Sequence, residues 1–301
     1  MDTLTVDQVT KRYNDFVAVD QVSFSVKPGS MFGLLGPNGA GKTTTMRMIM
    51  NIILPDSGEI RLFGEPFREE FKDRIGYLPE ERGLYPKMKV VDHLQFLGEM
   101  KGLSASEARR VSLEWLERFN LADRASKKVQ ELSKGLQQQM QFIGTILHRP
   151  QLLILDEPFS GLDPVNTQFL KDILLDLRQQ NTTIIFSTHL MEQAEKLCDE
   201  ICLINRGKVV LHGNLAEIKR RHSHNAVIVE YSGKLPPLDS LPMVKTVNNY
   251  GNYMEVRLRD EATPTHLFKA LANYEVDIRR FEAAETSLNQ IFIEIVGENN
   301  R

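Results

Sequence analysis

Short apolar runs, each bounded by polar or glycine-rich breaks, alternate along this chain with longer stretches whose apolar residues return every three or four positions. Leu4 to Val9 and Val17 to Val26 read as two strands, parted by a polar turn, Lys11-Arg12-Tyr13-Asn14-Asp15. Met31 to Leu35 is an apolar strand, and Thr44 to Met50 reads as the first turns of a helix. Leu54-Pro55-Asp56-Ser57-Gly58 has the composition of a turn, after which Glu59 to Phe63 is a strand. A further strand lies between Phe71 and Pro86 and ends in a proline-bounded loop. From Val91 to about Phe119 the period is helical. Leu94, Leu97 and Met100 mark one apolar face, and Val111, Trp115, Leu116 and Phe119 a second. Gly102-Leu103-Ser104 breaks the two, with Ser104 and Glu107 fitting a capping box. Leu132 to Leu147 predicts another helix, with Ser133 as N-cap. Leu152 to Leu155 and Thr182 to Phe186 have the length and apolarity of central strands, joined by a crossover helix from Pro164 to Arg178. Buried strands joined by helices predict an α/β core with a largely parallel sheet.

The pattern shifts near Gly213. Leu215 to Arg221 reads as a short helix running into a polar joint, Arg220-Arg221-His222-Ser223-His224-Asn225, whose histidines are expected in solvent. Beyond it Ala226 to Tyr231 and Tyr253 to Leu258 alternate as half-buried strands. Pro264 to Ala272 is helical, Val276 to Phe281 a strand, and Ser287 to Val296 a closing helix. These predict two domains, 1–215 and a small α+β domain 216–301, with no internal repeat.

At 301 residues the chain is long enough for one large and one small domain. Its 37 basic and 40 acidic residues leave a net charge of −3, spread evenly. That argues against nucleic-acid binding by bulk charge, so no nucleic-acid partner is expected, although a local patch stays open. Cys198 and Cys202 make no disulfide framework; they sit among apolar residues as expected buried spectators, and a reducing cytosol is the default. The N-terminus is acidic where a secretion signal is basic, and no window approaches 18 uninterrupted apolar residues. If this protein works at a membrane, another chain is expected to do the crossing.

Gly36-Pro37-Asn38-Gly39-Ala40-Gly41-Lys42-Thr43-Thr44 fits the pattern G-x-x-x-x-G-K-[ST] at every fixed position, between a strand and a helix. In that setting successive backbone N–H groups and the helix N-terminus face a polyphosphate. Lys42 brings a positive charge to the β and γ phosphates, and the Thr43 hydroxyl is an oxygen ligand for Mg²⁺. A ligand-free glycine turn is the bland alternative, which a full match in this context sets aside. Leu152-Leu153-Ile154-Leu155-Asp156-Glu157 is a strand ending in two carboxylates. Asp156 is placed to hold Mg²⁺, and Glu157, one residue on, to polarise an attacking water. His189 follows a strand at the edge where ligands of open α/β sheets collect. Alone it is more simply a structural residue.

Together these motifs resemble the ATP-binding subunit of an ABC transporter. The signature L-S-G-G-Q is matched by Leu132-Ser133-Lys134-Gly135-Leu136, with Gln137 one place late. Ser160-Gly161-Leu162-Asp163 is similar to the D-loop, Ser187-Thr188-His189 to the segment of the switch histidine, and Tyr13 to the aromatic that stacks on adenine. The resemblance covers roughly residues 3 to 215. It implies a P-loop NTPase of ABC ATPase type, with antiparallel N-terminal strands and a helical subdomain at about 88–150, and ATP and Mg²⁺ as cofactors. It also implies that His189 senses the γ phosphate, and that the chain forms a head-to-tail homodimer. Each ATP would lie between Gly36–Thr44 of one subunit and Ser133 and Gly135 of the other, with Asp163 nearby. Lys134 and the ending Ser287-Leu288-Asn289-Gln290-Ile291-Phe292-Ile293 resemble a bacterial exporter-type subgroup that includes sodium-efflux and drug-resistance ATPases.

Two positions depart from the family pattern. Glu80 stands where the family usually has a glutamine touching Mg²⁺ and the attacking water; a carboxylate accepts and ligates but does not donate. Leu136 stands where the signature has its glutamine, so that contact is lost or passes to Gln137. Lys134 either adds positive charge near the phosphate or is a solvated side chain. The expected function is that of an ATPase powering an exporter on the cytoplasmic face, with an integral-membrane permease as partner. A soluble ABC ATPase acting on ribosomes or DNA, and a low-turnover regulatory module, are the alternatives.

Overall fold

Leu152, Leu153, Ile154 and Leu155 are all fully buried, yet they serve two different cores. Successive strand residues point to opposite faces, so a strand covered on both sides has no polar position to spare. In the computed structural model, which describes residues 1–81, 83–222, 225–233, 237–251, 253–259, 261–274, 276–284 and 286–298, this strand lies inside the larger of two compact units, Met1–Asn214 and Leu215–Arg301.

The first unit runs β1 (Leu4–Tyr13), β2 (Phe16–Val26), β3 (Met31–Leu35), α1 (Lys42–Ile49), β4 (Ser57–Leu62), β5 (Glu65–Pro66), β6 (Ile75–Leu78), α2 (Val90–Met100), α3 (Ala105–Arg118), α4 (Lys134–Ile146), β7 (Leu152–Leu155), α5 (Pro164–Gln179), β8 (Thr183–Thr188), α6 (Met191–Leu197), β9 (Glu200–Asn205) and β10 (Lys208–Asn214). The central sheet has the order β10-β9-β3-β8-β7-β6, parallel throughout except for the antiparallel edge pair β9–β10. A second sheet, β2-β1-β4-β5, is antiparallel. Phe32, Leu34, Leu152, Ile154 and Ile185 pack towards α1 and this second sheet, with Met46, Ile49, Val19 and Phe24. Met31, Leu153, Leu155, Ile184 and Phe186 pack in the other cluster with α4 and α5, which extends to Leu94 of α2 and Val111 and Leu116 of α3.

Ser104 caps α3 by accepting from the Glu107 N–H at 3.3 Å; the Glu107 carboxylate lies 3.8 Å from Arg110. Tyr13 is not in a loop, as the polar run suggested, but is the last residue of β1, because the antiparallel ladder with β2 continues to the pair Tyr13–Phe16. The stretch Met191 to Asn214 holds α6, β9 and β10, which the pattern did not reveal. Seven residues are too few for a helical period to show, and β10 is a half-exposed edge. Cys202 is buried in β9 and Cys198 is half-buried beneath Gly33; burial pushes both thiols up.

The second unit runs α7 (Leu215–Arg221), β11 (Ala226–Gly233), β12 (Val244–Asn249), β13 (Met254–Leu258), α8 (Pro264–Leu271), β14 (Val276–Ala283) and α9 (Leu288–Glu298). Its antiparallel sheet has the order β12-β13-β11-β14. Val227, Val229, Val256 and Leu258 form one core with Leu267 and Leu271 of α8, a helix opened by a Thr263–His266 capping box. β12 was missed, since its VKTVNN sequence carries only two apolar residues. His222 ends up half-buried at the close of α7, and His224 lies outside the described residues. Among the described residues, no helix is long and apolar enough to cross a membrane.

His148, after α4, keeps Nε2 3.2 Å from the Ile75 carbonyl. Burial, then the nearby Lys101 ammonium, lowers its pKa to about 4. The unfolded chain therefore binds the proton first, and stability falls as pH drops from 6.5 towards 4. Replacing His148 by Gln should remove up to about 3 kcal/mol of that acid sensitivity, read by urea unfolding across that pH window.

Candidate active site

The parallel strands deliver their C-terminal ends to one edge of the sheet, and the glycines there explain the loop's shape. Gly36 follows β3 at φ 148°, and a Cβ on it would sit 2.1 Å from the Ile204 carbonyl oxygen. Gly41, at φ 107°, is the N-cap of α1, and a Cβ would meet the Ala18 carbonyl at 2.5 Å. Neither position admits a side chain. No side chain caps α1, so its first-turn N–H groups face the cleft beside it. That cleft, of about 480 Å³, is bordered by residues 38–44, by Tyr13 and Phe16 of the hairpin, and by Glu80 and Glu157.

Asp156 and Glu157 leave β7 almost fully buried, at 1% and 9% exposure. The Ser187 hydroxyl of β8 joins them: it donates to Asp156 Oδ1 at 2.6 Å and accepts from the Glu157 N–H at 2.9 Å. Glu157 takes φ 49°, an uncommon conformation for a residue with a side chain. Its carboxylate is then held from two sides, by His189 Nδ1 at 3.0 Å from Oε2 and Lys42 Nζ at 3.4 Å from Oε1. Lys42 itself donates to the carbonyls of Gly36 (2.8 Å) and Pro37 (3.1 Å). The charge of this region is felt by Tyr77 of β6, whose pKa is pushed up to about 12, first by burial and then by Asp156.

Asp156 Oδ2 is buried with no hydrogen-bond partner. An orphaned anionic oxygen in the interior asks for a cation. Among the described residues no cluster of three or more His, Cys, Asp or Glu side chains could cage a metal. Mg²⁺ does not need one, since it is held by one or two carboxylates, water and substrate phosphates. The donor set fits that ion.

The remaining expected site residues lie elsewhere on the unit. Ser133 caps α4, its hydroxyl accepting from the Leu136 N–H at 3.4 Å, and nothing lies within 4 Å of a Cβ built on Gly135. Gln137 turns back to donate to the carbonyls of Val129 and Leu132, both at 3.2 Å, while Lys134 is exposed. Asp163 caps α5, bonding the Asn166 N–H at 2.9 Å. Sequence reasoning missed two cleft features. Phe16 fell between the expected turn, which ended at Asp15, and the expected strand, which began at Val17; Ser187 was quoted beside His189 without a role.

Residues 19–160 match the ABC transporter family, and residues 213–296 match the C-terminal domain of DrrA1-3-like ATP-binding proteins. The ABC transporter ATP-binding protein YhaQ of Bacillus subtilis is 46% identical over 98% of each chain. The chain belongs to the ABC transporter ATP-binding proteins. It is similar also to the Nod factor export ATP-binding protein I of Ralstonia nicotianae, with 33% identity over 99% of this chain and 95% of that one. Linearmycin resistance ATP-binding protein LnrL of Bacillus subtilis shares 31% identity over 99% of each chain. Among solved structures, an ATP-binding subunit of an ABC transporter superposes with a TM-score of 0.68 at 32% identity, covering 73% of this chain and 92% of its own. This ABC protein is an ATP-binding and ATP-hydrolysing subunit, with ATP and Mg²⁺ as its cofactors.

Ser187→Ala should cost about 1–3 kcal/mol by leaving Asp156 Oδ1 and the Glu157 N–H without a partner. Urea unfolding of the isolated protein measures it, and a change below about 0.5 kcal/mol would deny the bridge its structural role.

Proposed function

We propose that this ABC ATPase powers export through a permease subunit, working at the cytoplasmic face of the membrane as a head-to-tail homodimer. The observation that carries the reading is an incomplete site. Lys42 and Glu157 line one cleft, with His189 bonded to Glu157 and Asp156 joined to it through Ser187, whereas Ser133 and Gly135 are not among its lining residues and lie at the start of α4. A helix start carrying an exposed capping hydroxyl and first-turn N–H groups suits the γ phosphate of a nucleotide bound to another copy.

In this reading Tyr13 stacks on adenine, the 36–44 backbone and Lys42 hold the β and γ phosphates, and Asp163 lies by the joint between subunits. Thr43 and Asp156, with Glu80 as a further oxygen donor, would hold Mg²⁺, which would supply positive charge for the phosphate oxygens. Glu157 orients the water for in-line attack on the γ phosphoryl and draws its proton, while His189 bonds the γ phosphate and registers its departure. Loss of that phosphate removes the charge that draws the two copies together. Export is favoured over import by the names of the two relatives described above, one a Nod factor export protein and one a linearmycin resistance protein.

Glu157→Gln should lower ATP turnover by about 10²-fold or more, in the range of a lost general base, while ATP still drives dimer formation in size-exclusion chromatography. Ser133→Arg should be equally inactive. Mixing the two inactive proteins gives heterodimers with one intact and one doubly damaged site, so activity should reappear. A mixture as dead as its components would place the whole site within one chain. Affinity purification from native membranes should bring down a multi-spanning protein; recovery of the homodimer alone would count against the permease.

A further inference from the structure

Phe16 is a large aromatic side chain left 63% exposed, three positions after Tyr13, which is 47% exposed. The two residues form the last pair of the β1–β2 hairpin, facing each other across the turn Asn14–Asp15, where Asn14 supplies the positive φ of 51°. Directly opposed residues of an antiparallel pair carry their side chains on the same face. Both border the cleft that contains the phosphate loop.

This hairpin tip is fixed at two places, one before α1 and one after it. Ala18 is an extra residue between the pairs Lys11–Val19 and Arg12–Val17, a bulge that kinks the strand. Its carbonyl is the atom that lies against Gly41, at the start of α1. On the other strand, Asp56 in the loop beyond α1 accepts from Lys11 Nζ at 2.8 Å and from the Arg12 N–H at 2.6 Å, and donates its own N–H to the Thr10 carbonyl at 2.8 Å. The Lys11 ammonium, thus placed, lies 5.8 Å from the centroid of the Tyr13 ring. The distance between the aromatic tip and the phosphate loop is therefore set before any ligand arrives, which lowers the ordering cost of binding.

We propose that Phe16 is a second base-contacting residue of the nucleotide site, acting with Tyr13 so that two rings on one hairpin tip grip the base. The proposal rests on the reading of this cleft as the ATP site. Stacking on aromatic rings uses the face that every base has, and it takes little account of exocyclic groups. The pair should therefore favour a nucleotide over a bare polyphosphate, with little discrimination between adenine and guanine.

The test measures dissociation constants of full-length protein for Mg²⁺ complexes of ATP, GTP and inorganic tripolyphosphate. Phe16→Ala should weaken both nucleotides by about 5- to 20-fold and leave tripolyphosphate within about twofold, which also reports an intact phosphate loop. Phe16→Trp should restore nucleotide binding. Unchanged nucleotide affinity in Phe16→Ala, or equal weakening of nucleotides and tripolyphosphate, overturns the proposal, as does a lost dimer with unchanged affinity. Lys42→Ala separates the two levels: if it binds all three ligands like wild type, the cleft is not the phosphate site at all.

Discussion

Two adjacent carboxylates at the buried end of a strand are the constraint around which the first unit is arranged. Unpaired, they would be expelled or neutralised by protonation. Asp156 and Glu157 instead meet a hydroxyl from β8, an ammonium from the phosphate loop and an imidazole just beyond β8. Carboxylates and partners come from three separate stretches of sequence, brought together because β3, β8 and β7 are successive neighbours in one parallel sheet. The order of the strands is thus what lets negative charge be buried. One oxygen, Asp156 Oδ2, is left buried without a hydrogen-bond partner, as the proposed cation ligand would be.

The same crowding accounts for the glycines. Ile204 of β9 and Ala18 of β2 approach the phosphate loop so closely that Gly36 and Gly41 have no room for a Cβ. The loop's path is therefore dictated by its neighbours as much as by a ligand. A backbone confined in this way keeps its N–H groups pointing into the cleft without help from a bound phosphate, and the binding site is preformed.

The parts of this design written in local chemistry were legible in the sequence. Gly36 to Thr44, and Asp156 with Glu157 at the end of four apolar residues, are contiguous and carry their own context. Ser133 read as a helix cap as well as a motif residue, and it is one; Asp163, read only as part of the D-loop, caps α5. What escaped was information held in pairing. β9 and β10 make up the edge of the sheet, and β9 passes as an apolar stretch until β3 is seen beside it. Tyr13 was assigned to a loop because Lys11 to Asp15 is polar, although the ladder with β2 overrides that preference. Phe16 and Ser187 lacked any signal of their own. Their significance comes from facing Tyr13 in one case and the two carboxylates in the other.

Helix α4 links these pieces in a way that a list of motifs conceals. Gln138 donates to the Pro158 carbonyl at 3.1 Å, just past Glu157, and Gln141 donates to the Glu81 carbonyl at 3.3 Å, just past Glu80. Gln139 reaches Asn166 of α5 at 2.6 Å, the same residue that Asp163 caps. The helix whose first turn carries Ser133 and Gly135 is therefore bonded to three loops or helix starts on its own chain, among them those holding Glu157 and Glu80. In the proposed head-to-tail dimer, a nucleotide bound to the partner and seated on that first turn would bear on the loops that hold Glu157 and Glu80 of the chain that it touches. The two sites of such a dimer would be linked through the hydrogen bonds that α4 makes from Gln138, Gln139 and Gln141.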